Sequence, residues 1–229
     1  MNNNTNIEKE KKYLWKMIDD YSFFALTDSE LNGGNKFEND PDFIRQYIKN
    51  HRLENEYGDS QSIIYNGHFG WSIPNEKAII EIIKFIKKDS IPKVSSAILE
   101  IGSGMGLWAY ILQLYGATVY PTDNYSYGVH RWGYLFTCVE NIDNFHALEK
   151  YKNANVLMLI WPDLTNMAYD TLKAFKGNKL IFIGEFREDA SNATPGFYFQ
   201  VKEEWKLCKK IELKRFFAHY DDAFLFIRK

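Results

Sequence analysis

The sequence has few cysteines, no long apolar run and almost no net charge. Its 229 residues include two cysteines, Cys138 and Cys208, and carry a formal net charge of −2. The two cysteines form no metal-ligand pattern, and we expect both to be reduced and buried, as in an intracellular protein. No apolar run approaches the roughly 20 residues of a membrane span, and the amino-terminal residues lack the apolar core of a secretion signal. The sequence therefore predicts a soluble, cytoplasmic protein with no membrane partner.

The charge balance argues against a nucleic-acid partner. The 28 Lys and Arg residues are matched by 30 Asp and Glu residues, so no overall field draws the chain to a polyanion. Hydrophobic residues make up 45% of the chain and aromatic residues 17%, which indicates a folded protein with a substantial core. The length suits one α/β domain with an amino-terminal extension.

A glycine-rich stretch at residues 97–106 is the most informative part of the chain. A short apolar run leads into Glu100, and Gly102, Gly104 and Gly106 follow before an apolar periodic segment. This order predicts a strand, a tight loop and a helix. The loop lacks Gly-Lys-Ser/Thr, which excludes a P-loop. Its spacing is Gly-x-Gly-x-Gly, whereas dinucleotide-binding loops have Gly-x-Gly-x-x-Gly.

The rest of the carboxyl-terminal half alternates strands and helices. Asp123 ends the apolar stretch 117–122, a position that suits a carboxylate accepting hydrogen bonds from ribose hydroxyls. Apolar runs at 155–161 and 179–184 predict buried parallel strands. Residues 186–199 read as a loop with a turn at Pro195-Gly196. Two extended stretches, 210–217 and 223–228, are separated by a polar turn at 220–222 and predict an antiparallel hairpin.

These motifs resemble a known family. Ile-Leu-Glu-Ile-Gly-Ser-Gly-Met-Gly, followed by Val-Tyr-Pro-Thr-Asp, is similar to the first two motifs of class I S-adenosylmethionine-dependent methyltransferases. The resemblance implies an α/β fold with a Rossmann-like doubly wound sheet, mostly parallel, ending in an antiparallel hairpin. It also implies S-adenosylmethionine as the cofactor. Some later segments look like poorly characterised methyltransferase-like proteins, which adds nothing about the substrate.

The resemblance also implies roles for particular residues. The glycine loop would pass under the methionine part of the cofactor, and Asp123 would bind the adenosine ribose. Glu100 would organise the loop or face the cofactor, and adenine contacts would fall near Ile142 and Asp143. The full set expected to bind the cofactor is Glu100, Gly102, Ser103, Gly104, Gly106, Asp123, Asn124 and Trp71.

The acceptor side is less clear from the sequence. The family places acceptor-facing residues after the fourth strand, where this chain reads Trp161-Pro162-Asp163. Amino-group methyltransferases often have Asp/Asn/Ser-Pro-Pro-Tyr/Phe there, and only one proline is kept. The expected catalytic candidates are Asp163 as a base or substrate contact, Trp161 as a stacking residue, and His130. A lone histidine is more often structural than catalytic. No set of His, Cys, Asp and Glu has metal-ligand spacing, so no metal is predicted.

Residues 1–74 are expected to form an amino-terminal extension and residues 75–229 the cofactor-binding domain. In the extension, a polar tail at 1–7 precedes a helix at 8–25, a loop at 27–39 and a second helix that opens at Asp40-Pro41. An irregular aromatic segment, 54–73, contains Trp71, which suits a cofactor-pocket wall and a core anchor equally well. Asn75 is expected to cap the helix that opens the domain.

The sequence is compatible with three functions. The leading hypothesis is an S-adenosylmethionine-dependent methyltransferase acting on a small molecule, a protein or a nucleotide group. A catalytically silent binding module with the same fold is the second, since the Pro-Pro motif is incomplete. A nicotinamide oxidoreductase is the third, and both the glycine spacing and the predicted hairpin oppose it.

Overall fold

A computed structural model describes residues 2–22, 65–66, 68–88, 96–126, 135–187, 189–215 and 219–229. The predicted loop at 27–39, the helix predicted from Asp40 and the candidate His130 lie outside these residues. No helix in the described ranges combines the length and the apolar character needed to cross a bilayer.

Helices and strands alternate through most of the chain after residue 97. The helices are α1 (Asn2–Tyr21), α2 (Glu76–Lys87), α3 (Leu107–Leu114), α4 (Asn144–Lys150), α5 (Met167–Ala174) and α6 (Pro195–Glu204). The strands are β1 (Ile98–Ile101), β2 (Val119–Asp123), β3 (Glu140–Asn141), β4 (Val156–Ile160), β5 (Lys179–Gly184), β6 (Trp205–Glu212) and β7 (Asp222–Arg228).

The strands form one sheet in the order β3-β2-β1-β4-β5-β7-β6. The first five are parallel, whereas β7 is inserted between β5 and β6 and runs antiparallel to both. Gly184 pairs with Asp222, so the start of β7 lies beside the end of β5. The carboxyl ends of the parallel strands and the residues just before β7 therefore share one edge of the sheet. The predicted mostly parallel sheet with an antiparallel carboxyl-terminal pair is confirmed.

Helices cover both faces of the sheet. The central strands β1 and β5 are buried along their whole length, as expected when both faces of a parallel sheet are covered. One core contains apolar side chains of α1, α2 and α3, and a second core on the other face contains those of α4, α5 and α6.

The amino-terminal helix extends the core of the sheet domain. Leu14 and Ile18, one turn apart on α1, are buried in the same cluster as Ile79 of α2 and Ile111 of α3. The indole Nε1 of Trp15 donates a hydrogen bond to the Tyr115 hydroxyl at 3.0 Å. This helix therefore packs on the helical layer of the domain. It begins at Asn2, so the expected polar tail at residues 1–7 is wrong.

The segment before β6 also differs from the prediction. Residues 195–204 form α6, although the sequence suggested a loop with a turn at Pro195-Gly196. Pro195 occupies the first helical turn after Thr194, where its missing N–H costs nothing and its fixed φ favours the helix. Phe197 and Val201, four residues apart, are buried in the core.

Two further features at the carboxyl-terminal end differ from the prediction. Asp222, expected in the polar turn, begins β7. Asp221 and Asp222 are 4% and 3% exposed, and hydrogen bonds and an ion pair compensate for the burial of their carboxylates. Both cysteines are exposed rather than buried. Cys208 lies where the register of β6 shifts between Leu207 and Lys209, on the edge strand of the sheet.

Candidate functional site

The glycine loop between β1 and α3 has a backbone that suits glycine at three positions. Gly102, Gly104 and Gly106 have φ values of 76°, 56° and 77°, in the left-handed region that L side chains avoid. A Cβ added to Gly106 would lie 2.9 Å from Val139 Cγ2 and 3.0 Å from Thr137 Cγ2. Gly106 is thus required both by its conformation and by the segment packed against it. Next to it, α3 begins with N–H groups that have no intrahelical acceptor.

Glu100 lies under this loop with an unsatisfied carboxylate. Its side chain is 1% exposed, and Oε2 has no hydrogen-bond partner in the part of the chain that the structure describes. Burial raises the pKa of Glu100 to about 8, the Ser103 hydroxyl opposes this rise, and the charge of Asp123 adds to it. A buried polar atom without a partner is costly. The position therefore suits a ligand that brings a hydrogen-bond donor or a positive charge.

Asp123 links the end of β2 to the glycine loop. One carboxylate oxygen accepts a hydrogen bond from Gly104 N at 2.9 Å, and the other accepts one from Tyr125 N at 2.6 Å. Each oxygen retains acceptor capacity for a further donor. The neighbouring Asn124 accepts from Ser126 N at 3.0 Å and stabilises a turn. The structure brings Glu100, the glycines, Ser103 and Asp123 together at the ends of β1 and β2, as the sequence predicted.

The two residues expected to bind adenine have structural partners. The carboxylate of Asp143 accepts from His146 N at 2.9 Å and caps α4. Its pKa is lowered, chiefly by this backbone hydrogen bond. Ile142 packs against the second core. A contact of either residue with adenine stays a prediction.

A pair of tryptophans lies near the end of β4. The rings of Trp71 and Trp161 stack with centroids 4.9 Å apart and an interplanar angle of 23°. Trp71 is 50% exposed, so part of this aromatic surface is open to solvent. Trp161 has a φ of 43°, a strained value for a bulky residue. The predicted stacking role of Trp161 and the predicted cofactor contact of Trp71 thus fall on residues that contact each other.

Asp221 connects the tryptophan pair to the start of β7. One carboxylate oxygen accepts from Trp161 Nε1 at 2.8 Å, and the other accepts from Ser72 Oγ at 2.8 Å. Burial raises the pKa of Asp221, while these two hydrogen bonds and the nearby His219 oppose the rise. The sequence gave no indication of this contact because Ser72, Trp161 and Asp221 come from three distant parts of the chain.

A second buried acid, Glu185, follows β5 at the same edge. Arg187 Nε and Nη2 donate to its Oε2 at 3.0 Å and 2.9 Å, and Tyr220 N donates to its Oε1 at 3.1 Å. One ligand-type atom from each of Glu185, His219 and Asp221 lies within 4.8 Å of the other two. We call these three residues the edge cluster. Sequence reasoning missed all three, and the only available signal was the acid directly after the buried strand β5.

Asp163 has a local role in the structure. It accepts hydrogen bonds from the Thr165 hydroxyl and from Thr165 N, the latter at 3.0 Å. This pattern is a side-chain turn of the kind that Asp stabilises before a helix, and α5 begins two residues later. These contacts do not involve a substrate, and the role of Asp163 as a base or substrate contact stays a prediction.

No protein-family model matches the sequence, and no curated protein matches it. Solved structures with similar folds include the magnesium protoporphyrin IX methyltransferase of Synechocystis PCC 6803 with bound SAM. It is 14% identical, its TM-score is 0.46, and the match covers 85% of this chain and 100% of that one. The N-methyltransferase NodS of Bradyrhizobium japonicum WM9 is 14% identical over 67% of this chain and 94% of its own, with a TM-score of 0.42.

The strand order and the antiparallel β5-β7-β6 arrangement decide the fold. The chain has the class I methyltransferase fold. With identities of 14% and TM-scores of 0.46 and 0.42, these structures carry no argument of their own about this chain. The glycine loop, Glu100 and Asp123 of this chain are the residues from which its function is inferred below.

Proposed function

We propose that the chain is an S-adenosylmethionine-dependent methyltransferase. The observation that carries the proposal is Glu100, a buried carboxylate with one oxygen unpartnered among the described residues, directly beside a glycine loop. The cofactor has a positively charged amino group, a carboxylate and ribose hydroxyls, and the loop region offers a suitable partner to each. When bound, it supplies an electrophilic methyl group on a sulfonium.

The residues fit this cofactor by their chemistry. Glu100 Oε2 offers an acceptor to an ammonium group, and a buried ion pair with hydrogen bonding restores the charged form of the acid. The first turn of α3 offers unpaired N–H groups and a positive dipole end to a carboxylate. Asp123 offers acceptor capacity to ribose hydroxyls while it holds Gly104 N in place. Gly106 allows the loop to lie against Thr137 and Val139.

Calorimetric titration with S-adenosylmethionine and S-adenosylhomocysteine tests the proposal. Loss of a hydrogen bond to the charged Asp123 corresponds to about 1.5–3 kcal/mol, so we expect Asp123→Ala to weaken binding about 10- to 100-fold. Asp20→Ala is a matched control, because Asp20 is an exposed residue of α1 whose carboxylate pairs with Lys16 and lies outside the glycine-loop region. Equal affinity in the wild type and Asp123→Ala would overturn the assignment.

A catalytically silent binding module is the second candidate, and one observation favours it. Asp163, which stands where amino-group methyltransferases have their second proline, is engaged with Thr165 in a turn. Labelled S-adenosylmethionine incubated with fractionated small molecules, proteins and RNA separates the two candidates. Cofactor binding without label transfer to any fraction would favour the silent module. The acceptor belongs to the proposal only as a class: a small molecule, a protein or a nucleotide group.

A further inference from the structure

We propose that the edge cluster, Glu185, His219 and Asp221, binds a divalent transition-metal cation. The proposal is independent of the proposed function, since none of these residues belongs to the glycine-loop region. Their ligand-type atoms lie within 4.8 Å of one another. Tetrahedral coordination with bonds of about 2.0–2.1 Å places ligand atoms roughly 3.3 Å apart. Displacements of about 1 Å in the ligand atoms, produced by side-chain rotation, would therefore close the site around an ion.

The two acids of the cluster are held by other groups in the manner of metal ligands. Ser72 Oγ and Trp161 Nε1 each donate to one oxygen of Asp221. Arg187 donates twice to Oε2 of Glu185 and leaves Oε1 with the single donor Tyr220 N. Each carboxylate keeps lone pairs for coordination. Outer hydrogen bonds of this kind orient ligating carboxylates and are a regular part of metal sites.

The charge of the cluster also favours a cation. Glu185 and Asp221 are 5% and 4% exposed, and burial of a carboxylate without a counter-charge is costly. Arg187 balances Glu185. Within the described ranges, Asp221 receives hydrogen bonds only from the neutral side chains of Ser72 and Trp161. A bound cation would supply the missing positive charge.

A small crevice reaches two of the three residues of the cluster. His219 and Asp221 line it, together with Trp71, Ser72, Lys214 and Arg215. Lys214 in its wall is paired with Asp19 at 2.8 Å, and the guanidinium of Arg215 lies over the Tyr220 ring. These two cations and Arg187 reduce the affinity for a metal ion, so we expect a moderate rather than an extreme binding constant.

The donor set of one imidazole and two carboxylates indicates which metal ions the cluster would prefer. Mixed nitrogen and oxygen donors favour zinc over manganese and magnesium, and three protein ligands leave a coordination position open for water or for an oxygen of a bound molecule. Zinc and its spectroscopic substitute cobalt are therefore the ions to test. The linear sequence shows no ligand spacing because Glu185 is 34 residues from His219.

Cobalt and zinc titrations of the full chain test the site. Thiolates are zinc ligands, and both cysteines are exposed, so the titrated protein carries Cys138→Ser and Cys208→Ser to remove this background. Visible absorption reports cobalt coordination, and zinc displaces cobalt. We expect one ion per chain, with affinity reduced at least tenfold by Glu185→Gln, His219→Gln or Asp221→Asn.

His146→Gln is the matched control, because His146 and Asp143 form an exposed histidine–carboxylate pair at 2.6 Å. It should leave the affinity unchanged. Absence of saturable binding, or equal affinity in His219→Gln, would overturn the proposal, as would loss of binding in His146→Gln. His219→Gln is the deciding variant if the buried acids prove necessary for folding, because His219 is only partly buried. S-adenosylmethionine titration of the same variants keeps this result separate from the proposed function.

Discussion

The indole of Trp161 donates a hydrogen bond to the carboxylate of Asp221 at 2.8 Å, across 60 positions of sequence. This bond joins the residue that follows β4 to the residue that precedes β7. Because Asp221 is 4% exposed, water cannot readily replace the indole as a donor. The bond therefore fixes the tryptophan ring at the sheet edge and gives one oxygen of the buried Asp221 carboxylate a hydrogen-bond donor.

Trp161→Phe should lower the free energy of unfolding by about 1–3 kcal/mol, the usual effect of removing one partner from a buried polar group. An aromatic ring and the strained φ are retained, but part of the indole ring is lost together with the hydrogen bond, so the effect is compared with the same substitution at Trp71. Urea denaturation measures it. Trp71→Phe is the control, because Trp71 is half exposed, and its effect should stay below about 1 kcal/mol. Equal effects of the two substitutions would contradict this account.

Gly106→Ala should destabilise the protein and weaken cofactor binding. The new Cβ would lie 2.9 Å from Val139 Cγ2, in addition to the cost of a left-handed φ. Gly104→Ala is a matched control, since it also has a positive φ but no atom within 4 Å of the added Cβ. We expect about 1–2 kcal/mol from conformation at Gly104 and at least about 1 kcal/mol more at Gly106. Thermal denaturation of both variants would show whether this difference exists.

The pH dependence of stability should reveal Glu100. Its pKa is raised from 4.5 to about 8 by burial, so the folded protein retains a proton that the unfolded chain releases. The contribution of this group to the free energy of unfolding is therefore full below about pH 4.5 and falls as the pH rises towards 8. The slope in this window is at most about 1.4 kcal/mol per pH unit.

Urea denaturation of the wild type and Glu100→Gln between pH 5 and 8 measures this contribution. The difference in stability should shift in favour of Glu100→Gln as the pH rises, since glutamine cannot ionise. Other titrating groups, including Asp221, contribute to both proteins and largely cancel in the difference. A difference that is independent of pH would show that Glu100 ionises normally.

Lys179 should be needed for stability at the opposite end of β5. Its side chain is 6% exposed, and its ammonium donates to the carbonyls of Phe85, Ile86 and Lys88 at the carboxyl end of α2. A positive charge there pairs with the terminal carbonyls of the helix and interacts favourably with its dipole. Lys179→Met should cost about 2–3 kcal/mol. The exposed Lys206→Met on β6 should change the unfolding free energy by less than about 0.5 kcal/mol.

Local sequence determined most of what could be predicted. The glycine loop, the cap of Asn75 on α2 and the buried runs of β4 and β5 depend on residues close in sequence, so their patterns are readable directly. Asp123 could be placed beside the loop because parallel strands end at a common edge.

The contacts at the sheet edge beside β4, β5 and β7 could not be predicted, for a physical reason. Ser72, Trp161, Glu185 and Asp221 meet only because β7 is inserted beside β5 and brings its preceding segment to the edge of the sheet. No periodicity in a single segment encodes that meeting. The helix α6 was missed because Pro195-Gly196 is also a common turn sequence, and only burial of Phe197 and Val201 distinguishes the two structures.

The place of β7 in the sheet has a consequence for synthesis on the ribosome. Among the described residues, strand β6 is the outer strand of the sheet and pairs with β7 alone, although it is translated before β7. Until residues 222–228 leave the ribosome, β6 has no strand to pair with and β5 presents an open apolar edge. Nascent chains held at this stage should be the form most exposed to aggregation and to chaperones, because unpaired strand edges recruit other chains.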